Sequence, residues 1–274
     1  MHAAVQLITL TTDFGLHDPY VGIMKSRIAL RAPAAHIIDL THQITPFYPE
    51  EAGYWLDCCA SQFPAGTVHV AVVDPGVGSE RGIVVVEAAE QCFIAPDNGL
   101  LGLVAAQRRA SYRLEPAALA RLGLQADSAT FHGRDIMAPL AAELAAGRVR
   151  AAELGAPCEP LPGQLQRARR DEAGGTCGQI AVIDRYGNAL STIPGAALRV
   201  YQRPRVRVAA AQPRLVRTYA QGRQNECLAL INSQDRLELA VREGSAAALL
   251  NIRPGQPVYI DETPSRQGAS AREA

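Results

Sequence analysis

Lysine is almost absent from this chain of 274 residues: of its 27 basic residues only Lys25 is a lysine, and the rest are arginine. Schiff-base chemistry and the phosphate-gripping P-loop both need a lysine, and no G-x-x-x-x-G-K-[ST] surrounds the one present. An excess of one charge is missing too. Positive and negative residues balance at 27 each, which argues against nucleic acid or an anionic membrane as a partner. No run of 18 apolar residues occurs, and the opening stretch MHAAVQLITLTTDFG has no basic leader region and meets an acid at Asp13. Cysteine is present but unpatterned: Cys58, Cys59, Cys92, Cys158, Cys177 and Cys227 form no C-x-x-C, no zinc spacing and no compact framework. Reduced thiols and a cytoplasmic location are expected. The histidines make no H-x-x-x-H or H-x-x-E-H pair, so no catalytic metal is expected, and nothing resembles G-x-S-x-G.

What is there is a strand-and-helix grammar. VQLITLTT, PYVGIMKSRIALRA, HIIDLT, PEEAGYWLDCCASQF and TVHVAVV alternate β-rich runs with helical patterns, and GIVVVEA and QCFIAP add two more strands. Continuous Val/Ile/Leu strands imply a mostly parallel sheet covered on both faces. GLLGLVAAQRR and DIMAPLAAELAAG read as helices. The expected fold is an N-terminal α/β domain over 1–160, a Pro/Gly/Arg-rich linker over 161–176, and a small antiparallel β-barrel domain over 177–262. That second domain is read from short alternating runs such as GQIAVID, LVRTYA, CLALINS and RLELAV. The tail 263–274 reads as disordered.

Polar turns close the apolar runs of the first domain: TTDFGLHDPY, DPGVGSER, APDNGLL and FHGRD. In a doubly wound sheet, strand carboxyl ends share one edge and ligands bind there. HVAVVDPGVGSERG mimics a dinucleotide loop, with Gly76 and Gly78 in the first two glycine positions, but Arg81 stands where G-x-G-x-x-G needs its third glycine. A cation seven positions after Asp74 points to a charge pair instead. Taken singly, Asp13 fits a helix cap or an Asx turn as well as a ligand, Asp97-Asn98-Gly99 fits an ordinary turn, and His132 fits a local hydrogen bond. Residues alone reach a two-domain α/β protein with a polar site.

Taken in order, TTDFGLHDPYVGIMK, IDLTHQITPF, VHVAVVDPGVGSER, APDNGLL, FHGRDIMAP, IDRYGN and INSQDRLELAV resemble the S-adenosyl-L-methionine (SAM) hydroxide adenosyltransferases, relatives of fluorinase and chlorinase. The resemblance implies hydrolysis of SAM to adenosine and L-methionine without a cofactor, in a homotrimer whose sites lie between one subunit's first domain and its neighbour's second. It implies a catalytic trio at Asp74, Arg81 and His132. Halide-using relatives carry Tyr and Thr where this chain has Asp74 and Val77 and a Tyr-Ser pair at His132-Gly133, and fluorinases carry a longer insertion between Glu87 and Phe93. It also implies that Asp13 grips the ribose hydroxyls, that Asp18 and Tyr20 contact the methionine portion, and that Phe47 packs beside the ribose. In the second domain it implies Asp184 for the methionine ammonium, Tyr186 and Asn188 for adenine, the Ala246 step for main-chain adenine contacts, and Ser233-Gln234 in place of a Ser-Arg pair that receives the carboxylate.

The reaction releases a neutral thioether, so the demand falls on the nucleophile: a water held behind C5′ that must lose a proton. The expected arrangement is a water clamped by Arg81, with Asp74 fixing Arg81 and His132 as relay, and the base open between Asp74 and His132. The alternatives are a halogenase, a SAM-binding regulator without turnover, and a dinucleotide dehydrogenase.

Overall fold

The computed structural model describes residues 6–172 and 174–262, so the expected disordered tail lies outside the described residues. The chain divides into two compact units, Met1–Gln164 and Leu165–Ala274.

In the first unit β1 (Leu7–Thr12), α1 (Tyr20–Arg31), β2 (His36–Thr41), α2 (Pro49–Cys59), β3 (Val68–Val72), β4 (Ile83–Ala88), β5 (Gln91–Pro96), α3 (Gly102–Ala105), β6 (Ala110–Arg113), α4 (Pro116–Arg121) and α5 (Ala138–Ala145) follow in order. The sheet runs β2-β1-β3-β5-β4-β6. β2, β1, β3 and β5 are parallel, and β4 runs antiparallel to β5 and β6. Every residue of β1 and β3 is buried, as strands covered on both faces require. Side chains alternate between two cores. Val70 and Val72 join Ile8, Leu10, Met24 and Leu140 on one face. Ala71 and Val73 join Leu56, Val84, Phe93 and Leu100 on the other.

The β4–β5 hairpin turns on Ala89 and Glu90 alone, both with positive φ (50° and 59°), the pattern of a tight two-residue turn. GLLGLVAAQRR supplies only the short α3, and in DIMAPLAAELAAG a π-helical turn, Gly133–Met137, precedes α5. Pro139 has no N–H to continue an ordinary helical ladder, and Ala138 N–H bonds Gly133 O instead.

His69 is buried in this sheet, stacked on Phe93 with centroids 4.6 Å apart. Gln91 gives its amide N–H groups to the Ala60, Phe63 and Pro64 carbonyls, so its oxygen faces His69 Nε2 at 3.3 Å, and Nδ1 lies 2.7 Å from Thr9 Oγ1. Burial pulls the His69 pKa down from 6.5 to about 4, against a smaller opposing pull from Gln91. A folded pKa below the unfolded one makes the contribution fully present above pH 6.5 and lost as pH falls through 4. The loss is about 3 kcal/mol. Urea unfolding at pH 7 and pH 4 should show His69→Gln losing less stability on acidification than wild type; equal losses would contradict this.

The second unit holds β7 (Arg169–Arg170), β8 (Thr176–Ile183), β9 (Ala189–Pro194), β10 (Pro204–Val208), β11 (Arg214–Leu215), β12 (Cys227–Ile231), β13 (Arg236–Val241), α6 (Ala246–Leu250) and β14 (Pro257–Glu262). Its sheet, β10-β14-β8-β9-β13-β12-β11 with β7 added to β8, is antiparallel except for β11 and β12. Its end strands β10 and β11 lie close, curling it into a nearly closed barrel. Ile180, Ala189, Val206, Leu237, Leu239 and Ile260 fill the interior. LVRTYA yields one strand residue, Leu215, before a 3-10 turn at Tyr219–Gln221.

Candidate active site

The chain leaves β1 for β2 on one side and returns to β3 on the other, so the carboxyl ends of β1 and β3 border a topological switch point, the usual ligand crevice of an open α/β sheet. A cleft of about 490 Å³ opens there, lined among others by Asp13, Tyr20, Phe47, Asp74, Phe131 and His132. Asp13 follows β1 and Asp74 follows β3 within two residues, while His132 opens the π-helical turn before α5.

Asp74, Arg81 and His132 form one hydrogen-bonded cluster. Arg81 Nε donates to Asp74 Oδ1 at 2.9 Å, and Nη2 donates both to Asp74 Oδ2 and to His132 Nδ1, the latter at 3.0 Å. A guanidinium has no acceptor, so His132 Nδ1 must offer its lone pair and the ring hydrogen sits on Nε2. Burial and the neighbouring Arg81 charge hold the His132 pKa below the usual histidine value, partly countered by Asp74 and Asp135, which keeps the ring neutral at pH 7. Asp74 and His132 line the cleft and Arg81 does not, although both partners of the ion pair are largely buried, Arg81 at 10% and Asp74 at 5% side-chain exposure. The bidentate fork engages Nε and Nη2, with two donors locked onto one carboxylate.

The loop glycines also act within the protein. Gly78 has φ of 81°, and a Cβ there would strike the Ala129 carbonyl; a Cβ on Gly133 would press Val72 at 3.1 Å. Both keep the backbone close-packed around the trio, and Gly133 also lines the cleft.

Asp13 Oδ2 accepts Phe47 N–H at 3.2 Å. Burial raises the Asp13 pKa above the usual carboxylate value, with the nearby Asp74 charge adding to it against two backbone hydrogen bonds. Tyr20, Phe14 and Phe131 meet edge to face, with centroids 5.6 to 5.7 Å apart, forming an aromatic wall. Phe47 is 76% exposed. Asp18 is not brought to the cleft lining; its carboxylate lies 3.7 Å from His17 Nδ1 on the surface. Phe14, Phe131 and Val72 were missed in the sequence because nothing local marks an apolar residue as cleft wall. Asp97 has a structural job, accepting from Arg113 Nη2 at 3.0 Å and Leu161 N at 2.8 Å.

In the second unit, Asp184 builds the β8–β9 turn: its Oδ1 accepts from Tyr186 N and Asn188 N, each at 2.9 Å, and its Oδ2 from Asn188 Nδ2 at 3.0 Å. Tyr186 stands exposed beside it. Gly187 O accepts from Ala247 N at 3.0 Å, tying this turn to the start of α6, where Ser245 caps the helix and Ala246 is buried. Ser233 and Gln234 sit in the β12–β13 turn, organised by Asn232 Oδ1, which accepts from Gln234 N and Arg236 N at 3.0 Å. Behind both turns lies Glu238, 3% exposed, accepting from Tyr219 OH at 2.8 Å and Asn232 Nδ2 at 3.0 Å. Burial, with a smaller push from Asp184, raises its pKa. Its alternating strand hid it in the sequence. Among the described residues no cluster of three or more His, Cys, Asp or Glu could hold a metal ion.

A switch-point cleft with a carboxylate–guanidinium–imidazole cluster, on a chain with a barrel-like second unit, defines a two-unit α/β ligand-binding protein. Residues 8–155 match the SAM hydroxide adenosyltransferase N-terminal domain and residues 178–259 its C-terminal domain, so the chain belongs to that family. It is 36% identical to an (R)-S-adenosyl-L-methionine hydrolase of Thermus thermophilus over 91% of this chain and 97% of that one. It is 32% identical to one of Methanocaldococcus jannaschii, over 94% and 95%. A fluorinase of an Actinoplanes species is 26% identical over 52% of this chain and 55% of that one. A crystal structure of an uncharacterized conserved protein from Thermotoga maritima superposes with a TM-score of 0.80 at 32% identity, covering 92% of this chain and 99% of that one.

Proposed function

We propose that this protein hydrolyses S-adenosyl-L-methionine at ribose C5′, giving adenosine, L-methionine and a proton. The observation that carries the reading is the Asp74–Arg81–His132 cluster beside Asp13 in one cleft. Water attacks C5′, the C5′–sulfur bond breaks, and its electron pair leaves on a neutral thioether that needs no acid. Asp74 takes the water proton: it faces the cleft, and each of its oxygens keeps a lone pair after accepting from Arg81. His132 has its Nδ1 pair committed to Arg81, so its Nε2–H orients the water oxygen instead. Arg81 fixes both groups and keeps a positive charge behind the developing hydroxide. Asp13 holds the ribose hydroxyls. Asp184 and the Ser233-Gln234 turn receive the methionine ends, with Gln234 supplying an amide where a cation would bind the carboxylate more strongly.

The scheme uses no cofactor. A homotrimer that pairs one protomer's cleft with its neighbour's second unit is the assembly the family resemblance implies, with the groups assigned to ribose and water in the first unit and those assigned to the methionine ammonium and carboxylate in the second. A cytoplasmic setting is supported by cysteines that form no disulfide with one another. No described helix is long and apolar enough to cross a membrane.

Incubation with the two sulfonium epimers of SAM, with and without fluoride or chloride, tests the reading by chromatography. Adenosine and methionine should form in equal amounts, unchanged by halide and faster from the (R) epimer named in the relatives. A 5′-halo product would make it a halogenase, and binding without adenosine release a regulator.

A further inference from the structure

Four polar side chains stand in line behind the turn that carries Asp13. Lys25 Nζ donates to Asp39 Oδ2 at 2.6 Å, Asp39 Oδ1 lies 3.0 Å from His42 Nε2, and His42 Nδ1 lies 2.8 Å from Thr12 Oγ1. Thr12 Oγ1 in turn accepts Phe14 N–H at 3.2 Å, across Asp13. The main chain doubles the link, with Gly15 N bonded to His42 O at 2.8 Å and Ile44 N to Thr12 O at 3.3 Å. Thr12 and His42 are buried, and none of the four lines the cleft. The chain thus reaches from α1, through the end of β2, to the end of β1.

Chemistry fixes the direction of these contacts. A bare Nε2 would set its lone pair against a carboxylate oxygen 3.0 Å away, so Nε2 carries hydrogen, although the pair is angled short of a well-aligned hydrogen bond. In the neutral ring Nδ1 is then an acceptor, and the Thr12 hydroxyl is its donor. Thr12 oxygen is left with lone pairs for Phe14 N–H, which holds the main chain on either side of Asp13. Asp39 stays ionised: burial pushes its pKa up, but Lys25 and His42 outweigh that and bring it below the usual carboxylate value. The only lysine of the chain is the anchor.

We propose that Lys25, Asp39, His42 and Thr12 are positioning residues that aim the Asp13 carboxylate into the cleft and so set the affinity for the substrate's ribose. The proposal rests on the hydrolase reading for what Asp13 holds. It predicts a defect in binding and not in the chemical step, because the Asp74–Arg81–His132 cluster is built from other elements.

Thr12→Val keeps the shape and removes the hydroxyl. In the full chain it should raise KM for SAM about tenfold with kcat within about twofold, and Thr12→Ser should restore most of the loss. In an Asp13→Ala background Thr12→Val should change nothing further. Lys25→Met, at the exposed end, should raise KM about threefold and provides the same test if Thr12→Val does not fold. A fall in kcat at unchanged KM, or full additivity with Asp13→Ala, would overturn the proposal. Nitrogen-15 spectra of His42 separate its failure from that of the hydrolase reading, since they need no substrate. A proton on Nε2 alone is expected, and a proton on Nδ1 would refute the chain of contacts even if SAM is hydrolysed.

Discussion

Arg81→Lys is expected to lower kcat for SAM by about a hundredfold or more even though the charge is kept. Arginine makes three contacts from one plane, to both Asp74 oxygens and to His132 Nδ1. An ammonium is a point donor and cannot span them. Lysine in that place leaves Asp74, whose side chain is only 5% exposed, with an unsatisfied oxygen, and frees His132 to change tautomer. Steady-state kinetics on folded protein, checked by circular dichroism, gives the answer. A loss below about fivefold would mean that charge alone matters and the fork does not.

Asp74→Asn should cost more, about a thousandfold in kcat, because it removes the proton acceptor and its charge from a cleft wall. The amide also turns an N–H toward Arg81, which can only donate. His132→Gln keeps a side-chain N–H donor and should lose about tenfold. The contrast between the two substitutions decides which group is the base: a larger loss at His132 would reverse the assignment. The acid limb of kcat should fall below pH 6.5, since His132 is held below its usual pKa and protonating Nδ1 would break its bond with Arg81.

Much of this site was written in local pattern. Continuous apolar runs gave β1 and β3, and the acids closing them, Asp13 and Asp74, reach one edge because parallel strands end together. Arg81 in the place of a third glycine marked a charge pair, and that pair is present. Other features carry no local signal. Phe131 joins Phe14 and Tyr20 in one wall from a distant segment, and an aromatic residue in a loop looks the same whether it lines a cleft or a core. GLLGLVAAQRR looked like a longer helix because its composition suits one, but the chain must reach β6 to pair with β4, and tertiary pairing wins over propensity. The contact from Arg81 to His132 depends on how its fork is used, which spacing does not encode. The same holds for the contacts from Lys25 to Thr12.

The origin of the oxygen is the most direct test of the central claim. In water enriched in oxygen-18, turnover of SAM should place one label on the 5′ oxygen of adenosine and none on methionine, as mass spectrometry of both products will show. Label on a ribose released with free adenine, or in methanol beside S-adenosylhomocysteine, would place the attack at another carbon and contradict the account.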